Sequence, residues 1–353
     1  MEFGDIIINW YKKNKRDLPW RNCNDPYKIW LSEIILQQTR VDQGMPYYKK
    51  FVETFPTVFD LANSSEDKVL KLWQGLGYYT RARNLHATAK RIVKDYNGIF
   101  PDSYEELIKL KGIGSYTGAA IASFAFKIPV PVVDGNVYRL LSRYFGIETP
   151  IDSNQAKKEF FLLASELINK KHPELFNQGI MEFGSLQCKP SNPDCLNCPL
   201  NLNCIAFARK NVANFPVKSK SIKTRNRYFH YLYIRHKNHF VLTKRIEKDI
   251  WKNLYELPLI ETNKKINAKK MMDEKQWEKI FGNHQINILS VSRSFIHQLS
   301  HQSIQVVFYE IELKKRKSFK NNFFWVDEQD YHQYAIPKPI ERYLHAHLKD
   351  HNA

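Results

Sequence analysis

Two regimes of hydrophobic patterning divide the chain. Up to about residue 208, apolar positions recur three and four residues apart, the spacing of one buried helix face. This spacing predicts helices over 27–43, 65–73, 81–96, 103–111, 116–126, 137–145 and 155–170. The first opens on Asp25-Pro26, a capping residue followed by proline at the first helical position. From Tyr228 the pattern changes to alternation. YFHYLYIRHKNHFVLTKR reads as two strands around a polar turn, and Ile304, Val306 and Phe308 later alternate with polar neighbours. A helix over 271–281 and another at the C-terminus make this second region α+β. The expected organisation is a mostly α domain over 1–208, a basic linker over 209–227 and an α+β domain over 228–353. No internal repeat or low-complexity block interrupts it.

Length agrees with two domains: the chain has 353 residues, and a domain takes roughly 150. With 43% apolar and 14% aromatic residues, real cores can form, which excludes global disorder. Against 36 acidic residues stand 54 basic ones, a formal charge of +18. Such a surplus points to a polyanion, most simply nucleic acid. It is also clustered. Lys68, Lys71, Arg81, Arg83, Lys90, Arg91 and Lys94 follow one another with no acid between, and a second acid-free basic run spans Arg209 to Arg227. The N-terminal apolar run is too short for a signal core, and no stretch is long enough to span a membrane. A soluble, intracellular protein is expected: a monomer in the cytoplasm, at the nucleoid if the cell is bacterial.

Inside a cell thiols stay reduced, so the cysteines are read as ligands rather than disulfides. Cys188, Cys195, Cys198 and Cys204 form C-x6-C-x2-C-x5-C, four thiols within 17 residues that short loops can close around one metal centre. Zinc favours two C-x2-C knuckles and only one is present, whereas a 4Fe–4S cluster accepts the longer spacings. Spacing leaves both open and favours iron–sulfur. Cys23 stands apart as an ordinary thiol.

Two further features bear on chemistry. LKGIGSYTG places Gly112 and Gly114 between two predicted helices, a tight turn whose following N–H groups make an anion site at a helix N-terminus. It lacks the Lys-Ser/Thr of a P-loop and the preceding strand of a dinucleotide turn. Asp134, in VVDGNV, sits where an N-cap is expected. Glu33 is less ordinary. In IWLSEIILQQ it shares a helix with Ile29, Trp30 and Leu36, and apolar surroundings favour a protonated carboxyl. One neutral acid and one ionised partner suit hydrolysis of a glycosidic bond.

Together these features resemble the helix-hairpin-helix DNA glycosylases with a Gly/Pro…Asp loop. The resemblance covers residues 1–208 through LPWR, WLSEIILQQTRV, GLGYYTRARNL, LKGIGSYTG, VVDGN, NQGIMEFG and the cysteine loop. It implies a 4Fe–4S cluster at 188–204. The endonuclease III-like branch, a glycosylase–lyase for oxidised pyrimidines, carries after the hairpin a lysine that forms a Schiff base. This chain has Tyr116 there and looks like the adenine DNA glycosylase branch instead. That branch implies Glu33 and Asp134 as catalytic carboxylates with Tyr116 and Asn136 orienting them. It also implies Gln38, Tyr78 and Leu76 at the opened duplex, Thr39 on the lesion strand, Gln178 at the adenine edge, and Arg21 in the site or on a phosphate. The expected substrate is double-stranded DNA with adenine opposite 8-oxoguanine or guanine. WKNLYELP resembles the Nudix-like domain of this branch, but no metal-binding Nudix box follows, so pyrophosphatase activity is not expected. The branch reads 8-oxoguanine with a Phe-Ser-His turn. Here the turn is Leu299, Ser300 and His301, which departs at its first position. A non-catalytic DNA-binding module with a structural metal is the reading from another class.

Overall fold

The computed structural model describes residues 2–219, 224–282, 286–319 and 322–350. They fall into two compact units, Met1–Ser64 with Arg83–Lys220, and Ser65–Ala82 with Ser221–Ala353. In chain order the helices are α1 (Phe3–Asn14), α2 (Pro26–Leu36), α3 (Val41–Thr54), α4 (Val58–Asn63), α5 (Glu66–Leu72), α6 (Thr80–Tyr96), α7 (Tyr104–Leu107), α8 (Ser115–Phe126), α9 (Gly135–Phe145), α10 (Asn154–Leu167), α11 (Pro173–Leu186) and α12 (Ile205–Ala208). The first unit is helical, as the spacing predicted. One of its cores gathers Phe3 and Ile7 from α1, Val137 and Leu141 from α9, Phe160 from α10, and Ile180 and Phe183 from α11. Each such side chain contributes about 1.5–3 kcal/mol by leaving water.

Several bounds differ from expectation. The helix expected over 27–43 is two helices, because Gln38 takes a left-handed backbone (φ 57°) that ends the ladder between α2 and α3. The segment 103–111 is helical only over α7, after which the chain tightens into the glycine turn. Helices α1, α3, α4, α11 and α12 are not among those expected. The expected linker does not begin as free chain: Val212–Asn214 forms a single 3-10 turn, Val217 accepts from the Ile151 N–H at 3.0 Å, and Ser219 bonds Asp152. Residues 220–223 of that linker lie outside the described residues.

The second unit is built on one mixed sheet with strands β1 (Arg225–His236), β2 (His239–Lys244), β3 (Tyr255–Glu256), β4 (Leu259–Thr262), β5 (Ile288–Val291), β6 (Phe295–Gln298), β7 (Gln302–Glu312) and β8 (Phe323–Asp327). Its order is β3-β2-β1-β7-β5, with β4 on β1, β6 on β7 and β8 on β2. The long strands β1 and β7 run parallel from Arg225–Gln302 to Arg235–Glu312, and the alternation of β7 is the one seen in the sequence. Leu232, Ile234 and Ile311 pack with α13 (Ala268–Met272) and α14 (Lys275–Phe281). The opposite side chains pack toward α15 (Lys338–Asp350), where Phe308 stacks on Tyr343 at 4.0 Å. The single helix expected over 271–281 is thus split, because Glu274 is extended and starts a new helix. Helix α5 clusters here through polar contacts: Asp67 accepts from Lys244 and Tyr255, and Glu66 from Asn253. Among the described residues no helix is long and apolar enough to cross a membrane.

Candidate active site

The first unit holds a cleft of about 690 Å3 whose walls include Glu33, Gln38, Tyr116, Asp134, Asn136 and Gln178. Glu33 reaches it from α2, whose apolar neighbours Ile29, Trp30 and Ile34 are almost fully buried. Asp134 reaches it as the N-cap of α9, where Oδ1 accepts from the N–H groups of Asn136 (2.9 Å) and Val137 (2.8 Å). The capping role and the place in the cleft are therefore one arrangement. Tyr116, on the first turn of α8, donates its hydroxyl to Glu33 Oε2 at 2.7 Å. Asn136 Nδ2 donates to Asp134 Oδ2 at 2.7 Å, and its own Oδ1 accepts from Arg139. This geometry brings Glu33, Tyr116, Asp134 and Asn136 into one site.

Glu33 is 6% exposed. Burial pushes its carboxyl up to about 7, the Tyr116 hydroxyl opposes that, and the Asp134 charge adds to it. Burial also pushes the Asp134 carboxyl up, but three N–H donors favour its charged form. Of the two, Glu33 is the group built to keep a proton near neutrality. Burial raises the Tyr116 phenol far above its ordinary range, so it stays a donor.

One wall holds residues that pattern reading overlooked. Glu182 on α11 has a side chain 1% exposed and accepts five N–H bonds: from Arg16 N, Nε and Nη2 and from Arg21 Nη1 and Nη2, at 2.6–3.0 Å. Burial works against its charge, yet the Arg21 and Arg16 donors hold its carboxyl down to about 2. Arg21 lies over the Tyr11 ring, 5.7 Å from its centre, and the Tyr11 hydroxyl bonds Gln178 one turn before Glu182. Arg21 therefore belongs to the cleft wall, with its fork held by a carboxylate. The signal that singled out Glu33, an acid on an apolar helix, is present in NQGIMEFG at Glu182 too.

The remaining expected residues are spread wider. Gln38 is exposed and Thr39 half-buried, both at the cleft rim. Gly112 (φ 80°) makes the turn between α7 and α8, and a Cβ there would meet Asn84 Cβ at 2.8 Å. The turn is fastened by Thr88, whose hydroxyl bonds the Lys111 carbonyl. Gly114 caps α8 with nothing near its would-be Cβ, so its backbone is open to approach. Leu76 is buried and Tyr78 46% exposed, both in the second unit. There the Tyr78 hydroxyl meets Ser300 Oγ at the β6–β7 turn, with His301 exposed beside it. No lysine lines the cleft among the described residues.

Cys188, Cys195, Cys198 and Cys204 line a common cavity with Leu140 and Phe183. Arg143 binds this loop to α9: it donates to the Lys189 and Pro190 carbonyls and lies 3.4 Å from Cys188 Sγ. Among the described residues no three thiol, imidazole or carboxylate groups converge tightly enough to hold a single metal ion. A lone zinc needs its thiolates about 2.3 Å from one point. Four cysteine thiols around one cavity are a donor set that suits a soft metal centre. Cys23 lies apart, facing the Trp20 carbonyl.

Residues 31–166 match the HhH-GPD superfamily of base excision DNA repair proteins, and residues 230–346 match the NUDIX domain. The chain is similar to the adenine DNA glycosylase of Buchnera aphidicola (subspecies Schizaphis graminum), 37% identical over 97% of each chain. Among solved structures it resembles a thermostable thymine-DNA glycosylase (TM-score 0.55, 30% identity), covering 59% of this chain and 95% of that one. It also shares the fold of endonuclease III in a non-covalent DNA complex (TM-score 0.51, 22% identity, 59% and 94% covered).

Proposed function

The chain belongs to the adenine DNA glycosylase family, and from that premise we propose that it releases adenine paired with 8-oxoguanine or guanine by hydrolysing the N-glycosidic bond. The observation that carries this reading is a buried Glu33 that accepts from the Tyr116 hydroxyl in the same cleft as the capping Asp134.

Adenine leaves the stack and enters the cleft. Glu33 donates its proton to a five-ring nitrogen, so that the base takes the bonding electrons and departs neutral. The ionised Asp134 steadies the cationic sugar, and Asn136 and Arg139 steady Asp134. Water then adds to the anomeric carbon and loses a proton to the carboxylate left on Glu33. Tyr116 stands where a lyase needs an amine, and a phenol forms no Schiff base. Strand cleavage is therefore not part of the reaction. Gln38, Thr39 and Tyr78 meet the opened duplex with the buried Leu76 close by, Gly112 and Gly114 offer backbone N–H groups to a phosphate, and Gln178 reads the adenine edge. Ser300 and His301 read the opposite base. Cys188, Cys195, Cys198 and Cys204 would hold a 4Fe–4S cluster. When bound, that group supplies a cross-link that shapes the loop.

Glu33→Gln tests the assignment. It should bind the lesion duplex as the parent does while single-turnover adenine release falls by about 10²–10⁴-fold. Unchanged release would remove Glu33 from the role, and release of thymine glycol in place of adenine would overturn the substrate.

A further inference from the structure

The mechanism needs Glu33 neutral, yet a guanidinium shares its cleft. The charged and titratable groups that line the cleft with Glu33 are Tyr116 from α8, Asp134 at the start of α9 and Tyr138 within it, Arg16 and Arg21 from the segment after α1, Glu182 from α11, and Arg40 and Asp42 at the rim. Arg21 is a cation that acts on Glu33 and favours its ionised form. Nothing in the proposed reaction uses Glu182, although its side chain is only 1% exposed.

We propose that Glu182 is a positioning residue for base release: its carboxylate fixes the Arg21 guanidinium against the cleft wall and cancels that cation's charge toward Glu33. The proposal rests on the reading of Glu33 as the acid. Geometry supports both halves. Arg21 gives Glu182 both terminal nitrogens, at 2.8 and 2.6 Å, a bidentate fork that fixes the guanidinium plane. The Tyr11 ring beneath and the Arg16 carbonyl at 3.3 Å close the remaining sides. Arg16 adds a second cation to the same carboxylate, so the trio carries one net positive charge with Glu182 and two without it. Because the arginine donors hold Glu182 down to about 2, it stays ionised wherever the enzyme works. A pH effect of its removal is therefore not its own titration.

The test is the pH profile of single-turnover adenine release from a duplex with adenine opposite 8-oxoguanine. Release needs protonated Glu33, so the wild-type rate falls on the alkaline side. Glu182→Gln keeps the shape and removes the charge. The uncancelled cations then favour ionised Glu33, and the alkaline limb moves to lower pH, by about half a unit or more. Arg21→Gln alone moves the limb the other way, and Glu182→Gln with Arg21→Gln brings it back toward wild type. If Glu182→Gln does not fold, the Arg21→Gln limb decides, with Glu182→Asp expected to keep the wild-type limb. A rate lowered equally at every pH with the limb in place would overturn the proposal and leave Glu182 a packing residue. A wild-type protein that releases no adenine would instead sink the functional reading, and this inference with it.

Discussion

A carboxylic acid kept neutral inside a folded protein leaves a mark on stability as well as on rate. Glu33 is raised from the ordinary carboxyl range to about 7 by burial. The sign follows from linkage. Below the unfolded pKa both states are protonated and nothing is lost. As pH climbs from there through 7, the unfolded chain releases its proton freely while the folded one is reluctant to, and stability falls by ~3 kcal/mol. Glu33→Gln should therefore show little change in melting temperature at pH 5 and a clear gain at pH 8, read by thermal unfolding at both. A gain equal at the two pH values would mean that Glu33 is not held neutral. Glu33 was legible because one charge interrupts an apolar helix. Glu182 has the same pattern but was passed over, because its partner Arg21 lies 161 residues away and only the fold joins them. Asp134 reads in the sequence as an N-cap and, by resemblance, as the ionised catalytic carboxylate, and the structure has it capping α9 from the cleft wall.

At the scale of elements, α8 and α9 were legible nearly to the residue, since their apolar periods and the Gly and Asp at their starts agree. The break between α2 and α3 was not. It rests on the left-handed backbone of Gln38, which the pattern does not encode, and the apolar residues keep helical spacing across it. Parallel pairing of β1 with β7 was equally hidden, because strand alternation says nothing about partners. Close packing also explains the glycine motifs. At Gly184 a Cβ would come within 2.7 Å of the Asn136 carbonyl oxygen, so α11 can approach the start of α9 only with glycine there. The hairpin turn is the sharper test. Gly112→Ala forces a side chain into a left-handed backbone and against Asn84, at a cost of about 1–3 kcal/mol. Denaturant unfolding should register that loss, and duplex affinity should weaken while the pH profile of bound-state release keeps its limb. Full affinity with full stability would show that the turn neither needs glycine nor touches DNA.

For the molecule as a whole, charge and specificity separate into different measurements. The +18 surplus predicts binding through phosphates, which carries no information about the opposite base. If roughly six phosphates are neutralised, affinity should drop by about 10³-fold between 50 and 200 mM salt. The exposed turn at Ser300 and His301 is the proposed reader of the opposite base, a role separate from this electrostatic background. The double variant Ser300→Ala, His301→Ala should therefore keep the salt slope of wild type while losing much of the preference for 8-oxoguanine over guanine opposite adenine. Titrating both duplexes at several salt concentrations reads slope and preference together. A changed slope with an intact preference would assign the turn to phosphate contact, and Leu299, where the family pattern has phenylalanine, would then be the residue at which to look for the missing reader.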